Sequence, residues 1–188
     1  MRLNLGCGGD IREGYLNVDW FQQKHPSVVA IDLSHLPWPF ANSSAEEILM
    51  LDFLEHFPYS KTTSMLMECY RVLSPGGELV VQVPDSEHLM KALTQFGEYL
   101  CNKCGRTIVG REHRMWDPIC GTCGQDVDGM SEAAMRRLYG GQDYPGNFHF
   151  ACFTKTSLVL KAEACGLTAF RFEETEHQYR NWNFKAVF

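Results

Sequence analysis

Leu3-Asn4-Leu5-Gly6-Cys7-Gly8-Gly9-Asp10 is the stretch that decides the reading of this chain. A short apolar run breaks into three glycines within four residues, the pattern of a buried strand ending in a tight turn. Glycine there admits positive φ and lets a ligand approach the backbone closely. Two further runs end on acids: Tyr15-Leu16-Asn17-Val18 on Asp19, and Val28-Val29-Ala30-Ile31 on Asp32. In a parallel sheet such strand ends lie side by side along the carboxyl edge, where open α/β sheets bind ligands. An ordinary strand-to-loop turn accounts for the glycines alone but not for the two acids. A glycine loop between carboxylates suits a nucleoside, with close backbone approach, an acid for ribose hydroxyls and an acid for an amino group. The dinucleotide fingerprint is not met, because its third glycine would fall at Ile11 and no helix fits before the strand near Leu16.

The bounds agree with a soluble enzyme-sized domain. With 188 residues and 45% apolar content, the chain suits one domain with a small insert. It shows no signal peptide and no membrane-length apolar run, so a cytoplasmic location and no membrane partner are expected. A net charge of −6 argues against general coating of nucleic acid, although residues 101–124 form a local basic island of +2. Of the eight cysteines, four fall in paired spacing and four are scattered in apolar surroundings, which is not a secreted disulfide framework.

Periodicity supplies the elements. Glu46 to Leu51 reads as a buried strand ending at Asp52. Residues 61–73 read as a helix with Met65, Leu66, Cys69, Val72 and Leu73 on one face, and Met67 is also expected to face the core. Ser74-Pro75-Gly76-Gly77 stops it, and Glu78 to Val83 is the next strand, closed by Pro84-Asp85. Ser86 is expected to cap a helix reaching about Leu100. Residues 131–139 suggest a helix capped by Ser131, and Thr154 to Cys165 another, with Gly166 just past its end. Two strands near 167–174 and 182–188 are joined too tightly for a crossover, so that pair should be antiparallel. The expected fold class is α/β, a mostly parallel sheet whose last strand is antiparallel.

At this point the residues resemble a family. Leu3 to Gly9, Asn17-Val18-Asp19, Asp32-Leu33, Leu54-Glu55-His56, Glu68 to Gly77 and Val83-Pro84-Asp85 are similar, in order and spacing, to the class I S-adenosylmethionine-dependent methyltransferases. The resemblance covers residues 2–85, and more loosely 148–188. It implies a Rossmann-like sheet of seven strands with a reversed final strand. It implies S-adenosylmethionine as cofactor, held by Asn4, Gly6, Cys7, Gly8, Gly9, Asp19, Trp20, Asp32, Leu33 and Asp52. Asp19 would hold the ribose hydroxyls, and Asp32 with Leu33 would meet the adenine. The chain departs from the pattern where Asn4 replaces a frequent acid and Asp10 a frequent glycine. The helix usual after the glycine loop is nearly absent. An N-terminal helix that often covers the substrate is also missing, which leaves room for a partner chain completing the lid.

Methyl transfer to oxygen or nitrogen needs an oriented acceptor and a group to remove its proton. Asp52, Glu55, His56 and His149 are the candidate catalytic residues, the first three sharing one face if the segment is helical. Asp52-x-x-Glu55-His56 with a later histidine also resembles the divalent-cation set of metal-dependent RNA 2′-O-methyltransferases and of some quinone O-methyltransferases. Mg²⁺ or Mn²⁺ would suit it. Histidine packed between Phe148 and Phe150 is the plainer expectation for His149.

Cys101-x-x-Cys104 and Cys120-x-x-Cys123, each followed by glycine, have the spacing of a structural Zn²⁺ ribbon over residues 101–124. The methyltransferase domain would then comprise 1–100 and 125–188. Lys103, Arg106, Arg111, Arg114 and Trp116 make the insert basic and aromatic. With the departures at Asn4 and Asp10 and the missing N-terminal helix, this leaves an alternative reading, a catalytically idle binding module whose ribbon docks nucleic acid or a protein. The methyl acceptor, small molecule, nucleic acid or protein, is not named by the sequence.

Overall fold

The computed structural model describes residues 1–20, 25–94, 98–100, 107–109, 130–144, 146–168, 170–173 and 183–188. The four paired cysteines, Cys101, Cys104, Cys120 and Cys123, lie outside these residues. The chain divides into two compact units, one of residues 1–85 with 149–188 and one of residues 86–148. The second unit contains the expected insert and is wider than it.

The first unit is built on a seven-stranded sheet. Its strands are β1 (Arg2–Leu5), β2 (Leu16–Asp19), β3 (Val28–Ala30), β4 (Ala45–Leu51) and β5 (Leu73–Pro84), then two late strands. The second unit holds the short antiparallel pair β6 (Glu98–Leu100) and β7 (Thr107–Val109). The late strands of the first unit are β8 (Arg171–Glu173) and β9 (Asn183–Val187), and the sheet order is β3-β2-β1-β4-β5-β9-β8. β1 to β5 pair in parallel, and β9 runs against both of its neighbours. The expected antiparallel final strand is therefore present.

Two helices cover one face. Helix α1 (Tyr59–Val72) buries Met65, Leu66, Cys69 and Val72 as its periodicity requires. Met67 is a correction: it points to solvent and is 57% exposed. The helices of the second unit are α2 (Ser86–Thr94) and α3 (Met130–Tyr139), which pack on each other. Helix α4 (Lys155–Ala164) returns to the first unit and lies beside α1. Thr154 and Ser157 form a reciprocal capping box at its start. At its end the Gly166 N–H donates to Glu163 O and the Leu167 N–H to Ala162 O, with Gly166 at φ +93°. That is the glycine-dependent Schellman closure expected from the sequence. Leu3, Leu5, Ile48, Met50, Leu79, Val81, Phe184 and Ala186 join the core these helices cover, and Leu49, Val80 and Val187 form a smaller cluster of their own.

Three boundaries bear on the reading and differ from it. Helix α2 ends at Thr94 rather than near Leu100, and Ser131 lies inside α3 rather than before it. Strand β5 begins at Leu73, not Glu78, because Ala45 pairs with Leu73 and a bulge realigns the strands before Glu47 meets Glu78. No residue between Gly6 and Tyr15 is helical, so two parallel strands are joined by a loop alone. Parallel neighbours usually need a longer crossover.

Candidate active site

The carboxyl edge of the parallel strands carries the expected residues, beginning with the glycine loop. Gly6 has φ +67°, and a Cβ there would fall 1.9 Å from a Phe53 ring carbon. Conformation and space therefore both demand glycine. The Gly6 and Cys7 amides donate to the Val18 carbonyl at 2.8 and 3.1 Å, tying the loop to β2. The Gly8 N–H then donates to Asp19 Oδ2 at 2.9 Å. A Cβ on Gly8 or Gly9 would meet nothing within 4 Å, so the outer backbone of the loop faces open space.

The loop is clamped from within the sheet. Buried Asn4 donates from Nδ2 to Asp10 O at 2.7 Å and to Asn17 Oδ1 at 3.0 Å. Asn17 in turn accepts from the Arg12 N–H and donates to the Arg12 carbonyl. Two buried amides thus replace the helix that normally organises such a loop. Cys7 is buried, and its surroundings, chiefly burial and then the Asp19 carboxylate, push its thiol up to about 11. It is a packing residue, neutral near pH 7.

Asp32 stands exposed after β3, its carboxylate accepting from the Ser34 N–H at 2.9 Å and 3.0 Å from His35 Nδ1. The Ser34 hydrogen bonds, aided by His35, hold it below the usual carboxylate range. Leu33 is buried, and its carbonyl accepts from the Trp38 indole. Trp20 is exposed.

The second group lies past β4. Asp52 has φ +50°, donates its N–H to Gln82 O at 2.9 Å, and accepts from Gln82 Nε2 at 3.0 Å and from Asn183 Nδ2. A single 3₁₀ turn follows at Leu54–His56. The expected common helical face for Asp52, Glu55 and His56 is therefore absent, since the left-handed Asp52 stands outside the turn. Glu55 is 1% exposed, and its carbonyl accepts from the Phe150 and Ala151 amides at 2.8 and 3.1 Å. Those bonds bring His149 alongside. The His56 and His149 rings meet edge to face with centroids 4.8 Å apart. Glu55, His56 and His149 each offer one donor atom, all within 4.8 Å of one another. Asp85 lies at the same edge, bridged to Phe153.

Three contributors were not foreseen: Phe53, whose ring fills the space beside Gly6, and the two amides that hold Asp52. An amide inside an apolar strand was the available signal, with Gln82 between Val81 and Val83 and Asn183 before Phe184.

The family model of the methyltransferase domain matches residues 3–81. A SAM-dependent methyltransferase structure from Archaeoglobus fulgidus aligns with TM-score 0.57 and 12% identity, covering 98% of this chain and 83% of that one. One from Methanosarcina mazei aligns with TM-score 0.52 and 19% identity, covering 98% and 88%. The Burkholderia thailandensis 1,6-didemethyltoxoflavin-N1-methyltransferase, solved with S-adenosylhomocysteine, aligns with TM-score 0.50 and 12% identity, covering 98% and 68%. No curated protein sequence matches the chain. The chain has the fold of the S-adenosylmethionine-dependent methyltransferases, and its residues 3–81 carry the sequence pattern of the methyltransferase domain.

Proposed function

We propose that the protein is an S-adenosylmethionine-dependent methyltransferase acting on an acceptor oxygen or nitrogen. The observation that carries this reading is the Gly8 N–H to Asp19 carboxylate bond. It joins a loop whose backbone is open to a ligand with an acid at the next strand end, on the edge where this fold binds ligands. In this reading the Gly6–Gly9 backbone receives the methionine part, Asp19 the ribose hydroxyls, and Asp32 with Leu33 and Trp20 the adenine side.

The chemistry asks little covalent work of the protein. An acceptor lone pair forms the new bond to the methyl carbon, and the carbon–sulfur pair returns to sulfur, which leaves as a neutral thioether. The acceptor then sheds a proton. His149, held beside His56 by the Glu55 carbonyl, is the base that takes it, and Glu55 and His56 orient it. Alternatively the same three side chains would hold a divalent cation, in which case His149 is a ligand and not the base. Two imidazoles and a carboxylate suit Mn²⁺ better than Mg²⁺, which favours oxygen donors. When bound, such an ion would polarise the acceptor oxygen as a Lewis acid. We also infer a structural Zn²⁺ on Cys101, Cys104, Cys120 and Cys123, from their spacing.

Calorimetric titration of S-adenosylhomocysteine into the purified protein tests the reading. Micromolar binding by the wild type, weakened at least about tenfold in Asp19→Ala, is expected, a loss of about 1.4 kcal/mol. Absence of binding by the folded wild-type chain would overturn it.

A further inference from the structure

We propose that the outer edge of strand β8 is a self-association surface, on which a second copy of this chain lays its own β8 antiparallel and joins the two sheets. The proposal concerns the far edge of the sheet and stands independently of the methyltransferase reading.

β8 ends the order β3-β2-β1-β4-β5-β9-β8 and pairs on one side with β9. Among the described residues no strand pairs with its other side, and Arg171, Phe172 and Glu173 are all exposed. An unpaired edge offers N–H and C=O groups to any passing strand, and short length and charge are the usual deterrents. This edge is short and charged, yet it is also aromatic, which a blunted edge is not. Phe170 is 46% and Phe172 41% exposed. Their rings meet edge to face with centroids 5.7 Å apart, and they continue the aromatic cluster inward to Phe188 and Phe184 at 6.4 and 6.0 Å. Lys155 of α4 stands 5.4 Å from the Phe172 ring centre and helps to hold it.

The charge pattern names the occupant. Alternation puts Phe172 on the face of its opposite residue Ala186, a core residue, and puts Arg171 and Glu173 on the other face. A two-fold axis through Phe172, normal to the sheet, pairs two copies of β8 antiparallel. Arg171 of each copy then stands opposite Glu173 of the other, and the two Phe172 rings stand opposite each other. Slipping the register by two residues in either direction sets arginine against arginine or glutamate against glutamate, which is unfavourable. An arbitrary strand must carry the inverse order of charges to fit; β8 reversed carries it. Arg171 already bonds Glu78 through Nη1 at 2.8 Å and Glu173 through Nε at 3.2 Å. Among the described residues its Nη2 takes no partner, so it can reach the second copy's carboxylate without breaking either bond. Exposed pairs of this kind add little affinity and chiefly select partner and register. The affinity comes from the ladder hydrogen bonds and the covered aromatic rings.

The test is sedimentation velocity of the purified chain at rising concentration, for the wild type, Arg171→Glu, Glu173→Arg and an equimolar mixture of the two variants, each checked for folding by circular dichroism. The wild type is expected to show a reversible monomer–dimer equilibrium. By symmetry each single reversal turns both cross-strand pairs from attractive to repulsive, so each variant alone is expected to dissociate at least about tenfold more readily. The mixture re-creates both attractive pairs between unlike chains and is expected to regain the dimer. A reversal that merely disturbed the sheet would not be rescued by mixing. A wild type that stays monomeric at every concentration would overturn the proposal. So would a wild-type dimer indifferent to either reversal, or two dissociated variants whose mixture stays monomeric.

Discussion

Replacing Gly6 by alanine tests the local architecture at its tightest point. An alanine at φ +67° pays a left-handed backbone cost of about 1–2 kcal/mol. Its methyl would also stand 1.9 Å from a ring carbon of Phe53, a separation no side chain sustains. Phe53 cannot turn away freely, because it packs edge to face on Phe57 with centroids 4.9 Å apart. Forcing such a shift in a packed cluster costs about 1–3 kcal/mol. Gly6→Ala should therefore destabilise the protein by about 2–5 kcal/mol, read as a lower urea midpoint. The two terms separate in a double-mutant cycle, since Phe53→Ala removes the ring but leaves the backbone strain. In that background Gly6→Ala should cost only the strain, about 1–2 kcal/mol. A cost below about 1 kcal/mol for the single variant would refute the reasoning, and so would an undiminished cost in the Phe53→Ala background.

Other outcomes follow from the same geometry. Gly8→Ala has the strain without the clash, so it should cost about 1–2 kcal/mol in urea unfolding, less than Gly6→Ala. Glu68 accepts from the Trp38 N–H at 2.7 Å and from Arg71 Nη2 and Nε at 2.6 and 2.9 Å, and these Arg71 bonds hold its carboxyl below its ordinary range. The unfolded chain then binds the proton first as pH falls, so this stability is present above the unfolded value of about 4.3 and fades as pH drops through the folded value. Glu68→Gln should cost about 1.5–3 kcal/mol at pH 7, as for lost hydrogen bonds to a charged group, because Arg71 is partly exposed and keeps its bonds to Phe40 O, Asn42 and Trp38 O. The gap to wild type should narrow below about pH 4; a constant gap from neutral to acid pH would count against the assignment.

Much of the fold was legible because it is written in local patterns. The glycine cluster and the two acids, Asp19 and Asp32, placed three strand ends on one edge of a parallel sheet without any contact being known. The turn after α4 was legible because Gly166 marks a backbone conformation other residues avoid. The reversed last strand followed from the short span between the two final apolar runs. What escaped was set by partners distant in sequence. The clamp that Asn4 makes on the loop, through Asp10 and Asn17, depends on partners the sequence does not mark. Asp52 fitted a helical spacing with Glu55 and His56, yet hydrogen bonds from Gln82 and Asn183 keep it outside the turn. Ser74 to Gly77 follows the end of helix α1 as expected, but pairing with β4 starts β5 at Leu73 rather than Glu78. The grouping of His149 with Glu55 and His56 was expected only through the resemblance; the two amides donating to the Glu55 carbonyl that bring it about are not encoded in any spacing.

The central claim is that the loop Gly6 to Gly9 receives the cofactor. Amide NMR of glycine-labelled protein titrated with S-adenosylhomocysteine tests it residue by residue. The Gly6, Gly8 and Gly9 signals are expected to shift in step with binding. Gly76 and Gly77, at the start of β5 and the opposite edge of the sheet, should stay unmoved. Saturable binding that leaves Gly6, Gly8 and Gly9 unshifted would contradict it.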